Sequence, residues 1–253
     1  MLKNTHPRDS QIRFEEGPHI YYINGDPSYT SVTTWCHKHF EKFNADAIID
    51  KMMASKKWPK SKYFGQTKDE IKALWNKNGK EASEAGTKLH YDIECFYNGV
   101  PNENDSIEYK YFLDYHEKMT EGLKPYRTEW TVFHEGLEIA GSIDMIYENE
   151  KGELIIADWK RCKEIKKTNR WRSSHTECIS HLPDSNFWHY SLQLNTYRKI
   201  LEEKYDKKIV DMFLVRLHPD SPKWEKIKIP FLESEMEDLI KHRKNELKQV
   251  FSK

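Results

Sequence analysis

The spacing of apolar positions changes period along the chain, and each change predicts an element. In HIYYINGDPSYTSVTTW, residues 19–35, aromatic and β-branched residues flank Asn24-Gly25-Asp26, which predicts a β-hairpin turned at Asn-Gly. Helical spacing then runs to about Asn98. A helix over 80–97 would carry Ala82, Gly86, Leu89, Ile93 and Phe96 on one stripe before Gly99 and Pro101 end it. A second helix is expected over 106–120. Strand-like patterns begin at TEWTVFHEG, 128–136, continue as an apolar pair on either side of a turn in IAGSIDMIYENEKGELIIADWK, 139–160, and return in 208–219 and 224–230. A helix over 189–205, with Tyr190, Leu194, Tyr197 and Leu201 as its core stripe, separates these groups, and a last helix covers 232–251. Helices before and after strands predict an α/β fold, a central mixed sheet flanked by helices. The expected organisation is a single domain over 1–253, in which 1–78 is a hairpin and helical elaboration on a core of 79–253.

Lysine plus arginine and aspartate plus glutamate are each 41, so a formal charge of zero argues against polyanion binding by bulk electrostatics. Any nucleic-acid site must be local, and two strips qualify. Residues 51–80 hold nine lysines against Asp69 and Glu70, with Trp58, Tyr63, Phe64 and Trp75 interleaved; Lys56, Lys57, Trp58 and Lys60 are its candidate contacts. Residues 161–172, RCKEIKKTNRWR, set six basic residues against Glu164; Arg161, Lys163, Lys166, Lys167, Arg170, Trp171 and Arg172 are the candidates there. Cys36, Cys95, Cys162 and Cys178 form no CxxC pair, and neither an apolar leader nor a run of ~20 apolar residues stands out, so a reduced, soluble, intracellular protein without membrane partners is expected.

The pair of segments at 139–160 raises the chemical question. With its turn centred on Lys151, Asp144 and Asp158 become cross-strand partners with Cβ atoms roughly 5 Å apart, where like charges repel. Alternation turns Ile156, Asp158 and Lys160 to one face and Ile155, Ala157 and Trp159 to the other. Two such carboxylates suit Mg²⁺ or Mn²⁺, and Lys160 could offset charge on a phosphate. A bare DxK also fits a solvated ion pair worth ~0–1 kcal/mol. Context comes from His90 and Glu94, one helical turn apart with Gly86 permitting close approach, and from Gln193, one turn before Tyr197.

In order, GTKLH, GSID, DWK and QLNTY resemble the PD-(D/E)XK nuclease superfamily, specifically its RecB-like exonuclease branch, over roughly 18–245. Residues 180–202 look most like versions from large DNA viruses, and the organisation is similar to that of mitochondrial genome maintenance exonucleases. The resemblance implies a restriction-endonuclease-like core and a Mg²⁺- or Mn²⁺-dependent deoxyribonuclease. It implies His90, Asp144, Asp158 and the Trp159 carbonyl as metal ligands and Lys160 as the catalytic lysine. Gln193 and Tyr197 would support the site, with Glu84 and Glu94 behind it. Asp158 stands where many members carry Glu. No cysteine follows Cys178, so no iron–sulfur cluster is expected. An exonuclease on single-stranded or end-bearing DNA, in replication, repair or recombination, is the leading expectation, located in the cytoplasm or at a viral replication site if the viral likeness holds. A structure-specific endonuclease and a catalytically silent nucleic-acid-binding module are the alternatives. Protein partners are unspecified.

Overall fold

The computed structural model describes residues 4–250. A short 3-10 turn leads into β1 (Ile12–Glu15), which pairs antiparallel with β2 (Ile20–Ile23). The expected hairpin is thus displaced by one strand. The Asn-Gly turn does form, with positive φ at Asn24 and Gly25 and both backbone hydrogen bonds exchanged between Ile23 and Asp26. Pro27 then offers no amide to a return strand, and β2 takes its ladder from the strand before it. The chain continues into the main sheet as β3 (Thr30–Ser31) and turns into α1 (Val32–His37), which the Ser31 side chain caps.

After α2 (Ala45–Met53) comes α3 (Lys68–Asn98), which begins well before the predicted Lys80 because Thr67 and Glu70 form a capping box. Its first half runs beyond the sheet and meets α2 through Lys68–Asp50 and Lys72–Asp46 ion pairs. Ala82 is therefore exposed, and nothing lies within 4 Å of where a Cβ on Gly86 would stand. The predicted stripe is buried only from Leu89 onward, so Gly86 permits no close approach here.

The remaining elements are α4 (Ile107–Met119), β4 (Lys124–His134), β5 (Ile139–Glu148), β6 (Leu154–Lys160), α5 (Asn186–Lys204), β7 (Ile209–Arg216), β8 (Glu225–Lys228) and α6 (Glu233–Val250). The main sheet runs β3-β5-β6-β7-β8, with β4 also paired to β5. Pairing is parallel for β3–β5 and β6–β7 and antiparallel elsewhere, the mixed sheet between helices that the pattern implied. On one face Ile146, Leu154, Ile156, Met212 and Leu214 join the core of α1, α5 and α6. On the other, Met145, Tyr147, Ile155, Ala157 and Trp159 pack with Leu89 and Ile93 of α3 and Tyr109, Phe112 and Tyr115 of α4. Among the described residues no helix is long and apolar enough to cross a membrane.

One gap in the sheet positions everything that follows. β4 lines one edge of β5 from end to end. The opposite edge is divided: β3 takes Ile139 and Ala140, and β6 takes Met145 to Glu148. Gly141 to Asp144 have no strand partner there. Tyr197 of α5 lies over this gap, so close that a Cβ on Gly141 would stand 2.8 Å from its Cε1 and hydroxyl oxygen. The buried ring has little room to retreat. Gly141→Ala is expected to destabilise the protein by about 1–3 kcal/mol, as overpacking does, and it should lose most of that cost in a Tyr197→Ala background, where the ring it meets is gone. Urea denaturation of the two single variants and the double variant measures this coupling; additive costs would show that the two positions do not meet.

Candidate active site

The β5–β6 ladder pairs Met145 with Ala157 and Glu148 with Leu154, so Asp144 and Asp158 stand opposite one another one step beyond the last pair, as the turn centring implied. There the strands part. The Asp144 carboxylate accepts the Trp159 backbone N–H at 2.9 Å, a bond that replaces the next rung. Asp158 is 2% exposed, and its Oδ2 lies 2.6 Å from the Lys160 ammonium. The lysine is that buried oxygen's close partner and is held by it. The Lys160 Nζ also sits 4.5 Å over the Tyr190 ring.

Glu129, which the sequence reading missed, completes the group. β4 pairs Thr128 with Met145 and Trp130 with Ile143, and between them Glu129 has φ +43, a left-handed conformation rare for a residue with a Cβ. The strands change faces at this point: Trp130 and Ile143 pack in the α5 layer, whereas Met145 packs in the α3 layer and Thr128 accepts from Asn98 of α3. Glu129 thus comes opposite Asp144 instead of following the period-two pattern, with Ser142 Oγ donating to its Oε2 at 2.8 Å.

His90 enters from α3. Its Nε2 donates to the Trp159 carbonyl at 3.0 Å, so in the neutral ring Nδ1 carries the lone pair, 3.5 Å from Asp144 Oδ2. Donor atoms of His90, Glu129 and Asp144 all lie within 4.8 Å of one another; Asp158, expected as a ligand, is not in that group and is tied to it through the Asp144 charge that acts on it. Glu94, one turn after His90, is raised by burial and acts on the Glu129 carboxyl. Glu84 lies on the exposed part of α3, paired with Lys80. From α5, Gln193 bonds the Tyr197 hydroxyl, and burial holds that phenol well above its usual range. Tyr21 of β2, also missed, brings its buried hydroxyl to the Ser142 backbone, with Glu129 and Asp144 among the charges acting on it.

Burial, then the Asp144 charge, push Glu129 up to about 8 against a hydrogen bond from Ser142. The same two causes raise Asp158 to about 6 despite its lysine. Burial pulls Lys160 down, but Asp158 and Asp144 outweigh it and hold the ammonium above its ordinary value. Several acidic groups therefore share one lysine. A cluster of carboxylate oxygens with one imidazole, more acidic charge than Lys160 alone offsets, fits a hard divalent cation.

The two basic strips differ in construction. Lys57, Trp58 and Lys60 line a groove of about 640 Å³ with Ile48, Lys51 and Met52, and Lys56 is exposed beside it. Trp75 is instead half-buried, its indole donating to Tyr63. Lys163, Lys166, Arg170 and Trp171 line a second groove of about 630 Å³, where Trp171 is 91% exposed. This loop is strapped to α5: Asn186 bonds the backbone of Glu164 and Lys166, the Trp188 indole donates to the Lys167 carbonyl, and the Lys167 ammonium lies over Phe187. Arg172 pairs with Glu41. Arg161 departs from its expected role, because it is mostly buried in a 2.7 Å pair with Glu108 of α4 and is not part of the exposed strip.

The family model of the PD-(D/E)XK nuclease superfamily matches residues 34–252, leaving the hairpin with Tyr21 outside the match. No curated protein matches the chain significantly. The crystal structure of SSO0001 is similar over 86% of this chain and 76% of that chain, at 14% identity and a TM-score of 0.34.

The raised carboxyls set the pH dependence of the metal-free fold. Glu129 moves from 4.5 to about 8 and Asp158 from 3.8 to about 6, so between these limits the folded protein binds more protons than the unfolded chain. Their contribution is fully present below the ordinary values and is lost as pH rises through the raised ones. Buried histidines held below 6.5, His39 and His134 among them, act in the opposite sense at lower pH, so in EDTA the melting temperature should fall from pH 6.5 to 8.5, where Glu129 alone of these groups still titrates. Glu129→Gln, which keeps the shape and loses the charge, should melt higher than wild type at pH 8 and flatten the upper part of the curve. Parallel curves for the two proteins would contradict this assignment.

Proposed function

The chain belongs to the PD-(D/E)XK nuclease superfamily, and from that premise we propose that it is a divalent-cation-dependent deoxyribonuclease, working as an exonuclease on single-stranded or end-bearing DNA. The observation that carries this reading is the meeting of Asp144, Asp158 and Lys160 with His90 and Glu129 at a gap in the sheet. Asp144, Asp158, His90 and Glu129 would hold Mg²⁺ or Mn²⁺, while the Trp159 carbonyl, expected as a further ligand, accepts the Nε2–H of His90 and orients its Nδ1 to the carboxylates. When bound, such a cation supplies positive charge against the phosphate and activates water for attack on phosphorus.

The protein's own groups provide the rest. Lys160, fixed between Asp158 and the Tyr190 ring, keeps a positive charge where the phosphate gains negative charge in the transition state, so it lowers the barrier more than it aids substrate binding. The Trp159 N–H fixes one Asp144 oxygen. Gln193 and Tyr197 hold the far side of the gap in shape. Lysines of the two grooves would follow flanking phosphates, and Trp171 and Trp58 would stack bases at ~1–3 kcal/mol each. The strapped loop favours a held strand, because its order is established before DNA arrives.

Linear single-stranded DNA should be degraded in Mg²⁺ or Mn²⁺ and not in EDTA. Asp144→Asn and Asp158→Asn should abolish cleavage with the fold intact, and Lys160→Ala should lower turnover by about 10²–10³ or more while retaining metal binding. Closed single-stranded circles should resist, and the rate should fall steeply with salt. No cleavage of any DNA by the wild type would end the nuclease reading, whereas rapid cutting of circles would replace the exonuclease with an endonuclease.

A further inference from the structure

A pair of imidazoles outside the cluster described above lies between the second basic groove and Lys160. His189 is in the first turn of α5, one turn before Gln193 and two before Tyr197, on the stripe directed to the gap. Its Nε2 lies 2.9 Å from an Asp184 carboxylate oxygen, and Asp184 itself lines the groove of Lys163, Arg170 and Trp171. A carboxylate only accepts, so Nε2 carries the proton and Nδ1 is the free acceptor of the neutral ring. Asp184 is in turn fixed, its N–H donating to the Arg172 carbonyl and its carbonyl accepting from Asn169. Phe40 packs against the imidazole at 4.1 Å, which sets its plane. His37, at the exposed end of α1, brings a second ring to 5.3 Å from the first, and Lys160 is among the charges acting on it.

We propose that His37 and His189 form a phosphate-binding station for the DNA strand, one step from the scissile phosphate on the path from the basic groove to Lys160. This rests on the nuclease reading. A histidine that only served packing would be closed off, yet the His189 side chain keeps 21% of its surface and His37 is exposed. Two imidazoles facing each other beside a lysine resist protonation, and Asp184 is the one carboxylate among the charges acting on them. Neighbouring protein strips water from part of each ring and lowers both, His189 and Lys160 lower His37 further, and Asp184 pulls both back up. A backbone phosphate supplies the negative charge the pair lacks, so its arrival favours the charged rings. Strand binding then takes up protons, and affinity rises as pH falls from 8 to 6.

The test is fluorescence anisotropy with a labelled single-stranded oligodeoxynucleotide in EDTA at constant ionic strength, at pH 6, 7 and 8. Wild type should bind about tenfold more tightly at pH 6 than at pH 8, an average uptake of about half a proton, where one full proton over the two units would give about a hundredfold. The double variant His37→Gln with His189→Gln should lose most of that gain and bind more weakly than wild type at pH 6, the remaining dependence following the raised Glu129 and Asp158 carboxyls. His37→Gln alone alters an exposed position, and it should lose part of the dependence with an unchanged melting temperature. A folded double variant, or a folded His37→Gln, with the full wild-type pH dependence and affinity overturns the station and leaves the nuclease reading standing. Wild type that neither binds the oligonucleotide at any of these pH values nor cuts DNA in Mg²⁺ overturns both.

Discussion

A single hydrogen bond, from the Trp159 backbone to the Asp144 carboxylate at 2.9 Å, stands where the β5–β6 ladder stops and the two strands diverge. Continued pairing would have used that amide within the sheet and turned Asp144 into an ordinary cross-strand neighbour of Asp158. Because the ladder ends there, one Asp144 oxygen is fixed by the backbone of the next strand, and Trp159, anchored by its buried indole beneath α3 and α4, acts as the hinge post. The gap beside Gly141–Asp144 follows from the same divergence, and α5 closes it with Tyr197.

What collects at that gap is charge the protein alone does not balance. Asp158 and Asp144 act on Lys160, Glu129 joins Asp144 and His90, and the left-handed Glu129 adds backbone strain of the order of 1–3 kcal/mol. Such an arrangement is costly in the metal-free fold and would become favourable with a cation bound. The core on both faces of the sheet supplies the stability that tolerates it, and the docking of the N-terminal segment adds to it, with Asp9 accepting from Arg127 and the Trp130 indole.

Much of the centre was legible in the sequence because it depends on short-range geometry. A period of two and a turn centred on Lys151 suffice to oppose Asp144 and Asp158, and the spacing of His90 and Glu94 needs only one helical turn. Glu129 was not legible, because a left-handed residue inside a strand reverses its faces and no local signal marks a glutamate for that conformation. Tyr21 was hidden for another reason: its ladder partner is the strand before it, not the one after the Asn-Gly turn. Arg161 read as part of a basic run, and only the tertiary contact with Glu108 shows its commitment to the interior. Gly141 and Tyr197 were visible as members of separate motifs, while the contact that couples them depends on where α5 crosses the sheet.

The central claim is that this gap is a cation site whose empty form is charge-frustrated. Thermal denaturation at pH 7.5, with and without saturating Mn²⁺, tests it most directly when wild type is compared with Asp144→Asn. Mn²⁺ should raise the wild-type melting temperature by several degrees, as ligand linkage requires at about 100 times Kd. The metal-free variant should melt at or above metal-free wild type and gain nothing from Mn²⁺. An unchanged wild-type melting temperature, or an equal gain in the variant, would contradict the account.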